Sequence, residues 1–354
     1  MSVSPEDCEI MVQIATSPLL ISTLFIADFC CLVAVPLLVY WTYRIWKMKL
    51  MHFNTRLLLC FHVLWILVHV IGRSVLITTD LIMYLTPFTS GCQLLHTRAG
   101  CFYLRLPFNI AVVISNCSAI FVSIERLIAT FRTKNYECGY KGIGFLLVFL
   151  QLLVGICLIY VMYSQTKIND NPVYYCQTTS TLNYMWTIYP YCAMLAMQLL
   201  AVLIFELAKG KNKRNSLSGA DLSSRYQNEE NLWTIKALKV YVYTNTSFTA
   251  TYLIVVSIII SQNHKFAIPT YYALVDASSL QYIYALVLPI VFWYYRKNVH
   301  NQIRWAVNQN LRMDSDRLFH ALRNQWNFHN LPSQNTVPKP WVMAYLKYKR
   351  KLKK

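Results

Sequence analysis

Glu125 and Arg126 stand side by side at the end of a long apolar run, in the string Ser123-Ile124-Glu125-Arg126-Leu127-Ile128-Ala129-Thr130. A guanidinium never loses its charge in a protein, so it can only change partners, which suits a two-state switch. Asp28, Arg73, Arg105 and Asp276 also fall inside apolar runs. In an apolar medium each costs several kcal/mol unless paired or hydrated, so each marks an ion pair or the wall of a polar pocket. Asn109, Ser115 and Asn116 share a run with Arg105, and His62 and His69 share one with Arg73 at i,i+7. These neutral groups suit hydrogen bonding between helices. The chain has no His-Glu-x-x-His, no phosphate-binding Gly-rich loop and no Cys-x-x-Cys. Enzyme activity is therefore not expected, and neither is a cofactor or a metal.

The elements that must position these groups are seven apolar stretches, at 19–43, 57–79, 101–124, 143–164, 186–208, 240–261 and 271–295. Each is close to the ~20 residues that a helix needs to cross ~30 Å of hydrocarbon. Backbone in lipid must bond to itself, so the stretches are read as helices. Hydrophobic residues make up 56% of the 354 and charged residues 14%, well under the ~25% usual in soluble domains. The fold class is an all-α membrane protein, a seven-transmembrane helix bundle. It divides into a leader at 1–18, the bundle at 19–295 and a tail at 296–354. No internal repeat is visible, which weakens a transporter reading.

A net charge of +18 would suggest nucleic acid in a soluble chain, but its distribution argues against that partner. The loops at 44–56, 125–142 and 209–239 and the tail hold four, four, seven and thirteen Lys and Arg. The opposite side holds Arg98, Lys167 and Lys265, and the leader holds only Glu6, Asp7 and Glu9. The positive-inside rule then sets the N-terminus outside and the tail in the cytoplasm. The leader lacks a basic n-region and the run after it is long enough to span, so a cleavable signal peptide is not expected.

Cysteines sort by side. Cys30, Cys31, Cys60, Cys117, Cys157 and Cys192 fall within spans and are read as small buried hydrophobes, and Cys138 falls in a cytoplasmic loop. Cys8, Cys92, Cys101 and Cys176 face the oxidising side, where pairing is expected. A Cys101–Cys176 bridge would tie the second outer loop over the mouth of the bundle. Cys8 and Cys92 are left for a second bridge, although four cysteines permit three pairings.

The Glu125-Arg126 pair resembles the Asp/Glu-Arg-Tyr motif of G-protein-coupled receptors, and Arg126 follows Cys101 by the separation that superfamily shows. Other marks depart from it. Span seven ends Leu288-Pro289-Ile290-Val291-Phe292 where Asn-Pro-x-x-Tyr would stand, span two lacks a mid-helix Asp, and span six lacks Pro. A closer resemblance lies in the third inner loop, where Arg225-Tyr226-Gln227-Asn228-Glu229-Glu230-Asn231 is similar to the nematode serpentine chemoreceptors of class alpha. Ile124 to Thr130, the acidic leader with Cys8 and the total length add to it.

The resemblance implies a chemosensory receptor of the plasma membrane, displayed on sensory neuron cilia. It would bind an external small-molecule or peptide cue and activate a heterotrimeric G protein through Glu125 and Arg126. An insect-type chemoreceptor channel also has seven spans, but places its N-terminus inside, against the charge asymmetry.

Spans one, two and seven are neighbours in that architecture, so Asp28 or Asp276 can pair with Arg73. Arg105 and Asn109 then lie towards the pocket. Consecutive residues do not share a helix face, so Arg126 is expected to find a partner beyond Glu125 on span six, where no acid is evident. Span six is expected to run into the cytoplasm as an amphipathic helix from Leu232, with Ser218 or Asp221 as a cap. Beyond span seven, Val299, Ile303, Val307 and Leu311 suit a helix lying on the inner leaflet, and the polybasic end at 347–354 suits anionic membrane lipid.

Overall fold

The computed structural model describes residues 5–48, 51–132, 141–166, 172–176, 185–217, 222–294 and 297. Cys138, the caps Ser218 and Asp221, and the tail readings from Val299 onward lie outside the described residues. The elements run α1 (Pro5–Ala15), α2 (Pro18–Trp46), α3 (Phe53–Leu85), a 3-10 turn (Gly91–Leu94), β1 (His96–Thr97), α4 (Arg98–Phe131), α5 (Lys141–Tyr163) and β2 (Pro172–Val173). They continue with α6 (Met185–Leu217), α7 (Leu222–Ser261), a second 3-10 turn (Asn263–Lys265) and α8 (Ile268–Ala277), and close with α9 at 281–294. Among the described residues, seven spans are long and apolar enough to cross a membrane: α2 to α7, and α8 with α9 as the seventh.

Local sequence explains where the helices begin. Ser17 caps α2 by accepting the Leu20 N–H at 3.4 Å, with Pro18 in the first turn, where its missing N–H costs nothing. Thr97 caps α4 through the Gly100 N–H at 3.1 Å. Along α2 the buried positions are Leu20, Leu24, Ala27, Cys31, Ala34, Leu38, Trp41 and Ile45, in steps of four and three. That is one narrow seam, and Ile26, Phe29 and Tyr40 on the other side are exposed, as a lipid-facing surface requires. α4 is different: 67% of its apolar window is buried against 28% for α2, which makes it the central post of the bundle. It packs on α3, α5, α6 and α7, while α2 packs on α3 and α8.

Hydrogen bonds stitch these helices where Asn, Gln and Thr interrupt the apolar faces. Asn116 accepts from Thr249 at 3.2 Å, and its backbone carbonyl accepts from Gln198. Thr246 and Asn245 donate to the Gln198 side-chain oxygen at 3.1 and 3.4 Å. Gln281 donates to Ser115 at 3.2 Å, and His62 bonds the Tyr284 hydroxyl at 2.9 Å.

Three features differ from the sequence-based expectation, and the start of α7 directly follows the candidate cap Asp221. The leader contains a helix, α1, with Met11 and Ile14 fully buried. The seventh span is interrupted at 278–280: the Leu280 N–H turns back to the Ser278 carbonyl at 2.8 Å, and the ladder resumes with Tyr284 to Leu280 at 2.9 Å. Ser278 contributes by bonding its own hydroxyl to the Val275 carbonyl at 2.7 Å, a local alternative to continuing the helix. α7 starts at Leu222, and its 40 residues span about 60 Å against about 30 Å of hydrocarbon. Finally, of the free cysteines read as buried, only Cys31 and Cys117 are buried in protein; Cys157 and Cys192 are exposed, where the apolar surroundings of a span are lipid.

Candidate functional site

The outer end of the bundle is covered by two small straps. α1 is joined to the first outer turn by a Cys8–Cys92 disulfide. That turn passes so close that a Cβ on Gly91 would lie 2.0 Å from the Cys8 carbonyl oxygen, so the position requires glycine. The second strap is the β1–β2 pair, His96 opposite Val173 and Thr97 opposite Pro172, held to the top of α4 by a Cys101–Cys176 disulfide. Bridging a separation of 75 residues corresponds to roughly 4 kcal/mol in the chain-entropy account. The Tyr174 hydroxyl donates to Asp7 on α1, so the straps hold each other. That bond, with burial second, pushes the Tyr174 phenol up to about 12, and it stays a donor at any physiological pH.

Tyr175, next to the bridging Cys176, is buried; its hydroxyl donates to one oxygen of Asp276, while Arg73 donates to the other. Burial first, and the Asp276 carboxylate second, hold the Tyr175 phenol well above its usual range. One buried carboxylate on α8 thus joins α3 and the lid. Of the two acids within reach of Arg73 by sequence, Asp276 is the one it meets. Asp28 instead accepts from Ser74 at 2.5 Å and Thr78 at 3.4 Å, a half-buried link between α2 and α3.

Arg105 lies on α4, one turn past Cys101. Its guanidinium carbon is 5.7 Å from both the Phe108 and the Tyr175 ring centroids, and its Nε and Nη2 have no hydrogen-bond partner among the described residues. Asn109, one turn further, donates to the Tyr163 hydroxyl on α5. Asp80 belongs to the same outer end and escapes sequence reading because the apolar run of span two stops at residue 79, whereas α3 continues to Leu85. It is buried, with His96 Nε2 at 3.4 Å from its Oδ1. The spacing Arg73, Ile77, Asp80, Tyr84 on one helix face is the signal that finds it. A ring nitrogen of His96 and the sulfurs of Cys101 and Cys176 lie within 4.8 Å of one another, but the sulfurs are bonded together and leave one imidazole, too few ligands for a metal.

At the other end, Arg126 is buried and donates through Nε, at 2.5 Å, and Nη2 to the two carboxylate oxygens of Glu125. Neighbours in a helix diverge at Cβ, yet the long Arg side chain folds back and grips its neighbour from the side. Thr55 on α3 donates to Glu125 at 3.2 Å. A further nitrogen, Arg126 Nη1, reaches Asn231 Oδ1 on α7 at 3.0 Å. Asn231 donates in turn to Asn212 on α6 at 3.1 Å and to Thr130 at 3.2 Å, and Asn212 donates to Thr130 at 2.6 Å. The partner on span six is thus a neutral amide from the Arg225–Asn231 string, and the network crosses α3, α4, α6 and α7.

A strapped, charged outer end and an arginine network at the inner end, joined by seven apolar spans, agree with one family of sequences. The family model described as serpentine type 7TM GPCR receptor class ab chemoreceptor matches residues 5–327. The chain belongs to this family. As a serpentine chemoreceptor it is a multi-pass membrane protein and not an enzyme. It is 29% identical over 157 residues to serpentine receptor class alpha/beta-14 of Caenorhabditis elegans, covering 42% of this chain and 40% of that one. It is 23% identical to serpentine receptor class beta-3 of the same nematode, over 70% of this chain and 72% of the relative. With serpentine receptor class alpha-39 it shares 20% identity over 73% and 70%. The matched class is therefore ab, where the inner-loop string, Ile124 to Thr130, the leader and the length are read from the sequence as resembling class alpha.

The lid of this serpentine receptor makes a prediction without any ligand. A hydrogen bond to a charged group contributes about 1.5–3 kcal/mol, so Tyr175→Phe is expected to raise amide hydrogen exchange at Val173–Cys176 by about ten- to a hundredfold. Exchange unchanged from the parent protein would mean that the disulfide and the β-pair alone keep the lid down.

Proposed function

We propose that this receptor binds an external chemical cue beneath the β1–β2 lid and activates a heterotrimeric G protein at its Arg126 end. The inner network carries this reading: a buried, permanently charged side chain holds α4, α6 and α7 together through a neutral amide that can be exchanged for another acceptor. α6 and α7 also run past the hydrocarbon at that end, offering a partner protein two packed helices. The N-terminus outside, the tail in the cytoplasm, and a plasma-membrane or ciliary location are supported by the charge asymmetry and the family. Anionic lipid is proposed as the partner of the polybasic end.

The test joins orientation to activity. In intact cells an N-terminal epitope should be labelled, and a C-terminal one only after permeabilisation. The receptor in lipid nanodiscs should then accelerate nucleotide exchange on a panel of G-protein heterotrimers in response to a fractionated chemical extract. Reversed labelling, or a ligand-gated ionic current with no exchange on any heterotrimer, would replace the receptor reading with a channel.

A further inference from the structure

Two buried arginines on α4 present the same edge to different surroundings. Arg126 commits its Nε and Nη2 to the two oxygens of Glu125. Those nitrogens lie side by side on one edge of the guanidinium, the fork that matches a carboxylate. Arg105 carries the same edge with neither nitrogen partnered among the described residues, although the residue is only 7% exposed. Of the acids of the outer end, Asp276 is held by Arg73 and Tyr175, and Asp80 lies 3.4 Å from His96 Nε2 with neither carboxylate oxygen hydrogen-bonded among the described residues. The Phe108 and Tyr175 rings flank the guanidinium and support its charge without using its donors. A buried charge left with unmet donors is costly, and one incoming carboxylate would satisfy both.

We propose that Arg105 receives the carboxylate of a small organic acid that enters under the lid, so that the cue of this receptor is a carboxylic acid. The inference rests on the receptor reading above and gives the chemical class of its ligand. The apolar remainder of such an acid meets a wall of Val113, Ile159, Met194 and Leu253, the buried cluster that continues inward between α4, α5, α6 and α7. Tyr175, between the lid and Asp276, closes the acid off from water.

The full-length receptor in nanodiscs tests this by thermal stabilisation, which needs no G protein. The probes are butanoate, benzoate and phenylacetate, each beside its methyl ester, with phenethylamine as the cationic counterpart. At least one acid is expected to stabilise the receptor while its ester and the amine do not. Arg105→Gln should weaken that half-saturation by about thirtyfold or more, since a bidentate charged contact is lost. Arg105→Lys, which keeps the charge without the fork, should fall between and covers the case in which Arg105→Gln does not fold. The inference is overturned if no acid stabilises, if esters or amine match the acids, or if both variants bind acid as the parent does. An amine or neutral cue that drives nucleotide exchange would sink the carboxylate while leaving the receptor reading standing. Acid binding with no exchange on any heterotrimer would do the reverse.

Discussion

Arg126→Ala is expected to reduce cue-dependent nucleotide exchange to the level of empty membranes while the receptor still reaches the cell surface. The guanidinium touches both Glu125 on its own helix and Asn231 on α7, so on the proposed reading removing it takes away the resting latch and the charged donor of the active state together. Because the alanine strands a buried Glu125, surface labelling must accompany the assay, and Arg126→Ala with Glu125→Gln supplies a version without the orphaned charge. Asn231→Leu separates latch from donor. It deletes one hydrogen bond to a charged group, worth about 1.5–3 kcal/mol, which shifts a two-state equilibrium by about ten- to a hundredfold towards activity without a cue. A neutral amide already holds Arg126 less firmly than a carboxylate would, so some basal exchange is expected of the parent receptor too. Full signalling from Arg126→Ala would reduce the pair to a cationic anchor, and a basal rate in Asn231→Leu equal to the parent's would remove the latch.

Asp276→Asn carries the second large effect, on stability. The carboxylate sits 2% exposed between Arg73 and the Tyr175 hydroxyl, and its neutralisation leaves a buried guanidinium without a counter-charge. Breaking a buried pair from one side costs about 3–5 kcal/mol, whereas replacing both partners with apolar groups is often neutral. Thermal unfolding in nanodiscs should therefore drop sharply for Asp276→Asn and recover when Arg73→Met is combined with Asp276→Leu. If the double variant were as unstable as the single one, the ion pair would be contributing packing rather than charge compensation. A single variant with unchanged unfolding would show that water reaches Arg73.

The spans are legible because lipid imposes a long, uniform demand on composition, and apolar runs alone locate all seven. Polar helix ends lie beyond that demand, which is why Asp80 falls outside the run that marks α3 and why α7 begins earlier than its apolar residues do. α1 is invisible for another reason: a disulfide and packing against its neighbours hold it, and eleven residues carry too little periodicity to announce that. The break after Asp276 depends on serines that helices often tolerate, so only the three-dimensional hydrogen bonds reveal it. On the inner side, a search for an acid opposite Arg126 passes over Asn231, since an amide leaves no mark in a charge count. The intramembrane charges are legible as a set, but which Asp meets Arg73 depends on the depth and rotation of three helices.

Tyr175 is attached to the residue that the Cys101–Cys176 bridge pins to the bundle, so its hydroxyl stays within reach of Asp276 even when their bond opens. A tethered group of this kind acts like a competitor present at about millimolar effective concentration or above. On the proposed reading, a cue that enters beneath the lid first breaks the Tyr175–Asp276 bond, which re-forms over it. On that reading the detection threshold of the receptor is set in part by its own loop, through the strength of this one bond.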